Sequence, residues 1–202
     1  MNSDIRNTYV TIIKAAYTSS KVSGFYATVS VSYENECAGD SIGTAVFENQ
    51  IVIENKRSSF LAGGDSGSLM VENVATNPWA VGLLFAGSRS TAVANPIDDV
   101  LDTFGVTMVG EPGSGASSTQ TSSSTISQKA QIASANAAQK RASASLMNKG
   151  GVVGHGIGLG ANGQYVIKVY VESLADYDRG GVPPFIDGVR VVVEETGKIV
   201  AF

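Results

Sequence analysis

Residues 63 to 70 read GGDSGSLM, a glycine-rich turn that runs directly into a strand-like segment. Glycine lets the backbone bend sharply, and the backbone N–H groups of such a turn can converge on one point. The turn therefore suits an oxyanion, and Ser66 is its candidate nucleophile. A serine hydroxyl is a poor nucleophile until a neighbouring base removes its proton. The single histidine of the chain, His155, lies far downstream.

Six strand-like segments surround this turn. Each is short, rich in Val, Ile, Phe, Tyr and Thr, and bounded by polar clusters. They are TYVTII (8–13), FYATVSVSY (25–33), TAVFENQIVIE (44–54), SLMVE (68–72), WAVGLLFA (79–86) and TAVAN (91–95). Strands at this spacing predict a closed antiparallel barrel. The following NPIDDVLDTF predicts one short terminal helix, with Asn95 as its cap and Pro96 in the first turn.

Residues 110 to 128, GEPGSGASSTQTSSSTISQ, contain almost nothing to bury and predict a flexible linker. The chain thus divides into a barrel (1–109), the linker, and a second unit (129–202). The second unit starts with an alanine-rich helix and continues through VVGHGIGL, an Asn162-Gly163 hairpin signal and further strand-like runs. We expect a mainly β protein whose second unit is a small α+β module with a helix on one face.

The composition excludes several classes of function. The net charge of −4 and the scattered Lys and Arg residues offer no footprint for nucleic acid or an anionic membrane. No apolar stretch approaches the roughly 18 residues of a spanning helix, and no signal peptide is recognisable, so we expect a soluble chain, with the cytoplasm as the favoured location. The lone Cys37 cannot form an internal disulfide and is read as an unreactive thiol. One His and one Cys cannot assemble a soft-ligand metal site, and no cofactor is expected.

Three ordered motifs resemble a known family. GGDSGSLMV, AVGLLFAGS and ANPIDDVL are similar to a bacterial branch of trypsin-like serine peptidases that is related to the plant narrow-leaf proteins. FENQIVI extends this resemblance upstream. The carboxy-terminal GVVGHGIGLG, VYVE and IDGVRVVVEETG resemble an accessory module of such proteins. The resemblance implies that residues 1–109 are a single six-stranded chymotrypsin-type half, the second barrel of a peptidase.

The resemblance also assigns roles to individual residues. It makes Ser66 the nucleophile and the backbone N–H groups of Gly64 and Ser66 the oxyanion donors. Phe60 falls where trypsins carry the acid that binds a basic side chain, so Lys or Arg specificity is not expected. The strand VGLLFAGS would line the opposite wall, and small or apolar substrate side chains are favoured. The wall residues nearest the substrate would be Phe85, Ala86 and Gly87.

The histidine and aspartate of a catalytic triad are the missing parts. In a complete peptidase they come from a first barrel, which this sequence does not supply. His155 is read as a solvent-facing strand histidine rather than as the base. We therefore expect the serine-bearing half of a serine endopeptidase that acts on a peptide or protein, is inactive alone, and needs a separate or upstream first-barrel segment. The alternatives are a non-catalytic binding or regulatory protein derived from a peptidase, and a β-rich structural protein whose motifs match by coincidence.

Overall fold

A computed structural model describes residues 9–12, 18–34, 41–55, 60–61, 63–108, 123–177 and 181–201. The protein is mainly β, as the sequence predicts. The described elements, in chain order, are β1 (Tyr9–Ile12), β2 (Thr18–Glu34), β3 (Ser41–Glu54), β4 (Leu69–Glu72), β5 (Ala80–Gly87), β6 (Thr91–Pro96), α1 (Ile97–Phe104), α2 (Ser123–Met147), β7 (Val152–Leu159), β8 (Tyr165–Val171), β9 (Phe185–Ile186), β10 (Val189–Glu195) and β11 (Val200–Ala201).

The six predicted segments form β1 to β6, and these strands close into a ring. The neighbours follow the order β1, β4, β5, β6, β3, β2, and β2 pairs again with β1. Every pair in the ring is antiparallel. Ring closure pairs both edges of the two shortest strands of the ring, β1 and β4 with four residues each, which stabilises them. The interior is filled by large apolar side chains, among them Val10, Ile51, Ile53, Met70 and Leu84.

The second unit is a four-stranded sheet with α2 packed on it. β7 and β8 form the antiparallel hairpin predicted at Asn162-Gly163, where Gly163 has a φ of 74°. β10 adds parallel to β8, and β9 adds to β10. Apolar residues of α2, such as Ala138 and Leu146, pack with Ile167 and Val169 of β8. The small α+β sheet with one helix face is therefore present.

The predicted linker does not separate two sheets. β2 is long enough to pair with β1 at residues 18–21, with β7 at residues 25–29 and with β11 at Ser32, all on one edge. β11 was expected to belong to the second unit, but it returns to the barrel and pairs with β2 and β5. One continuous sheet thus contains all eleven described strands.

Two local predictions are corrected. Asn95 does not cap α1, because β6 extends to Pro96 and Asn95 pairs with Leu83 of β5; Pro96 occupies the cap position without a side-chain bond. The linker was placed at residues 110–128, yet residues 123–128 already belong to α2. Serine and threonine do not prevent a helix when an alanine-rich segment continues it. Residues 109–122 and Cys37 lie outside the described residues.

Candidate functional site around Ser66

The loop that carries Ser66 joins β3 to β4 and is fixed to the neighbouring strand β5. Gly67 donates its N–H to the carbonyl of Leu84 (2.7 Å), and Leu84 donates its own N–H to the carbonyl of Ser68 (3.1 Å). Within the loop, the N–H of Ser68 bonds to the carbonyl of Asp65 (3.0 Å). The first two bonds hold the turn against a barrel strand, and the third closes the turn itself.

Two glycines give the loop its shape. Gly64 has a φ of 91° and Gly67 a φ of 82°, both in the region that residues with a side chain rarely adopt. Neither position is crowded, since a Cβ would meet no atom within 4 Å at either one. The requirement for glycine is therefore conformational rather than steric. Gly63 is equally open but has no positive φ, which makes it a matched control for Gly64.

Ser66 is exposed at the tip of this turn. In the part of the chain that the structure describes, its hydroxyl makes no hydrogen bond, and the N–H groups of Gly64 and Ser66 have no backbone acceptor. An oxyanion site requires donors that are left without an acceptor in this way. The structure brings no base to Ser66 within those residues. Asp65, beside it, is half-buried.

His155 is not the solvent-facing residue that the sequence suggested. It is 1% exposed on β7, opposite Thr28 of β2, and its Nε2 lies 2.9 Å from the hydroxyl of Ser143 on α2. Burial lowers its pKa from 6.5 to about 4. Gly154 and Gly156, on either side of His155, let β7 run close to β2, because a Cβ at either position would come within about 3.1 Å of a β2 atom. The described partner of His155 is Ser143, not Ser66.

Phe60, the predicted pocket residue, is 3% exposed and belongs to the barrel core together with Leu61 and Met70. Its N–H is bound by the side-chain oxygen of Asn55 at 3.1 Å. Asn55 is a residue that the sequence reading missed. It is 1% exposed, and its own N–H and side-chain amide reach the carbonyls of Ser90 (2.7 Å) and Ser88 (3.3 Å). These three hydrogen bonds form a clamp before the Ser66 loop. An asparagine that follows a strand does not predict this clamp.

The predicted wall residues lie together on β5, but the chain itself covers two of them. Phe85 is half-buried and contacts Phe47 of β3, with ring centroids 5.0 Å apart. Ala86 and Gly87 are buried because β11 pairs with them in antiparallel register, Ala201 opposite Ala86 and Val200 opposite Gly87. Nothing in the sequence predicts that β11 occupies this position.

Within the described residues, no group of three or more His, Cys, Asp or Glu could hold a metal ion. Neither described helix has the length and apolarity to cross a bilayer. Large apolar side chains are exposed on the β2–β3 hairpin, at Ile42 (73%) and Val46 (58%), and after α1.

Comparison of the chain with protein-family models, curated proteins and solved structures found no match in any of the three. The resemblance to trypsin-like peptidases accordingly stays a prediction from the motifs.

Proposed function

We propose that this chain is the nucleophile-bearing half of a serine endopeptidase. One observation carries the proposal: Ser66 is exposed on a turn shaped by two positive-φ glycines, between the third and fourth strands of a closed six-stranded antiparallel barrel. This is the placement that the resemblance to trypsin-like peptidases implies. The reaction would be acyl transfer, in which the Ser66 Oγ attacks a peptide carbonyl.

The chain's own residues would supply the nucleophile and the oxyanion donors. The Ser66 hydroxyl forms the bond to the carbonyl carbon, and the N–H groups of Gly64 and Ser66 donate to the oxygen that becomes negative. A base must take the hydroxyl proton and return it to the leaving amine. Loss of such a base costs on the order of 10⁶ in turnover, whereas binding and the oxyanion hole retain roughly 10³ to 10⁴ over water. The described part of the chain alone should therefore hydrolyse peptides at a rate below detection.

The first test is covalent labelling of Ser66 by a fluorophosphonate, followed by peptide mass spectrometry. We expect slow labelling at Ser66 that is abolished by Ser66→Ala and accelerated by imidazole added as an external base. Gly64→Ala should slow labelling, because a Cβ is strained at a φ of 91°, whereas Gly63→Ala should not. Equal labelling of wild type and His155→Ala would confirm that this histidine is not the base.

Labelling that is spread over many serines, or that is insensitive to Gly64→Ala in a folded variant, would contradict the proposal. Rapid Ser66-dependent peptide hydrolysis by the purified 202-residue chain alone would contradict the need for a second polypeptide segment.

A second function is favoured by a different observation. The pairing of Ala86 and Gly87 with β11 shows that β5 can hold an extended strand without any catalysis. A non-catalytic protein that binds an extended peptide would need only this edge. It would bind peptides equally well with Ser66→Ala and would show no selective Ser66 labelling.

A further inference from the structure

The cleft between β2 and β5 holds the carboxy-terminal strand β11. On one side Val200 pairs in parallel with Ser32, whose N–H bonds to the carbonyl of Ile199 at 2.9 Å. On the other side Val200 pairs in antiparallel register with Gly87. The cleft exists because β4 pairs with β5 only over residues 80–83, and because β1 and β7 together pair with β2 only as far as Val29. Beyond these residues, both strands present edges to a third strand.

The cleft also provides specific side-chain contacts. Ile199 is 1% exposed and lies in a core cluster with Ala86 and Val93 of the barrel. Beside it, the Lys198 ammonium and the Glu34 carboxylate form an exposed ion pair at 2.7 Å. The cleft thus accepts a strand that has a branched apolar side chain at a buried position and an exposed cation at the residue before it.

The segment that enters the cleft begins at a turn. Gly197 has a φ of 75°, and the carbonyl of Thr196 accepts hydrogen bonds from the hydroxyls of Ser88 and Ser90. The same two residues accept hydrogen bonds from Asn55, the clamp at the entrance of the Ser66 loop. The β5–β6 turn therefore contacts both the blocking segment and the start of the nucleophile loop.

We propose that the β2–β5 cleft is an acceptor site for an extended peptide strand, and that residues 198–201 occupy it as an internal blocking strand. The ligand class is an extended polypeptide with a branched apolar residue at the position of Ile199 and a cation before it. Backbone N–H and C=O groups of β2 and β5 bind such a ligand by adding it as a strand. The further step, that this ligand is also the substrate, rests on the proposed function, because Ala86 and Gly87 are the predicted wall residues. The replacement of β11 by a peptide strand does not rest on the proposed function.

Tethering makes the internal strand a strong competitor. An intramolecular segment acts at an effective concentration on the order of millimolar. A free peptide therefore competes poorly with β11 in the wild-type chain and binds well once β11 is expelled. The Ile199→Asp/Val200→Pro double variant should expel it, because an unpaired carboxylate is costly in the core and proline cannot donate to a ladder.

The test measures binding of a fluorescein-labelled peptide TGKIVAF, the sequence of residues 196–202, to the full-length double variant by fluorescence polarisation. We expect saturable binding that is at least about tenfold tighter than to wild type. A peptide with alanine in place of isoleucine should bind at least about tenfold more weakly than TGKIVAF, since the buried position loses its branched side chain. Val74→Asp, which adds a carboxylate at an exposed site, should behave as wild type.

If expulsion of β11 destabilises the double variant, the same peptide should raise its melting temperature. A folded double variant that does not bind the peptide, or an unfolded one that the peptide does not rescue, would overturn the acceptor site. Equal binding to wild type and double variant would overturn blocking by β11. Ser66→Ala should not change peptide binding, so a failure of the proposed catalytic role is distinguishable from a failure of this inference.

Discussion

The Ser66 loop and the seam between β2 and β7 use glycine for opposite reasons. In the loop, Gly64 and Gly67 have empty space around them and serve a positive φ. In the seam, Gly154 has an ordinary φ but no room, since a Cβ would come within 2.7 Å of the Thr28 carbonyl oxygen. The loop glycines set a shape that a ligand could use, whereas the seam glycine allows two strands to pair. A glycine in the sequence does not reveal which purpose it serves.

The largest expected effect comes from breaking the seam. Gly154→Ala should lower the free energy of unfolding by about 3 kcal/mol or more, because the new methyl group meets a backbone atom that cannot move aside. Gly63→Ala in the loop should change it by less than about 0.5 kcal/mol. Urea denaturation followed by circular dichroism measures both variants. Equal stabilities would mean that the seam is looser than the structure shows.

The next effect is the response of the seam to pH. Burial holds the pKa of His155 at about 4, below the 6.5 of the unfolded chain, so between these values the unfolded state binds the extra proton. Stability from this residue is fully present above pH 6.5 and is lost as the pH falls toward 4. At about 1.36 kcal/mol per pKa unit, the difference between the two pKa values lowers the free energy of unfolding by about 3 kcal/mol. Beyond burial, Nδ1 has no hydrogen-bond partner in the described part of the chain, which also disfavours the charged ring.

Urea titrations at a series of pH values, with wild type and His155→Gln compared, isolate this contribution from that of the carboxylates. The variant should show a smaller decline between pH 6.5 and 4. Parallel curves for the two proteins would contradict a buried neutral histidine.

The sequence predicted the elements that depend on local patterns. The strand-like segments became β1 to β6, Asn162-Gly163 became a hairpin, and the alanine-rich segment became α2. The position of Ser66 on an exposed turn before β4 also agreed. In these cases short-range alternation, turn chemistry and helix propensity decide the outcome, and all of them can be read from neighbouring residues.

Contacts between distant segments could not be predicted in the same way. β11 pairs with β5 across more than a hundred residues, and nothing in GKIVAF distinguishes a strand of the second unit from one that completes the barrel. The burial of His155 and the clamp by Asn55 depend on which strands meet at the seam and the barrel. A polar residue that is exposed in one pairing is buried in another, so these assignments required the fold.

The smallest effects are expected from two serine substitutions, one in the Ser66 loop and one beside the seam. Ser66→Ala should leave the free energy of unfolding within about 0.5 kcal/mol of wild type, since Ser66 is exposed and its hydroxyl makes no hydrogen bond within the described residues. Ser143→Ala should cost about 1 to 2 kcal/mol, because it removes the described partner of the buried His155 Nε2. Fluorophosphonate labelling should rank the two in the opposite order, with only Ser66→Ala abolishing it. A Ser66→Ala variant that destabilises the protein as much as Ser143→Ala would show that the Ser66 hydroxyl supports the fold. Its exposure would then no longer argue that it is kept available for a substrate.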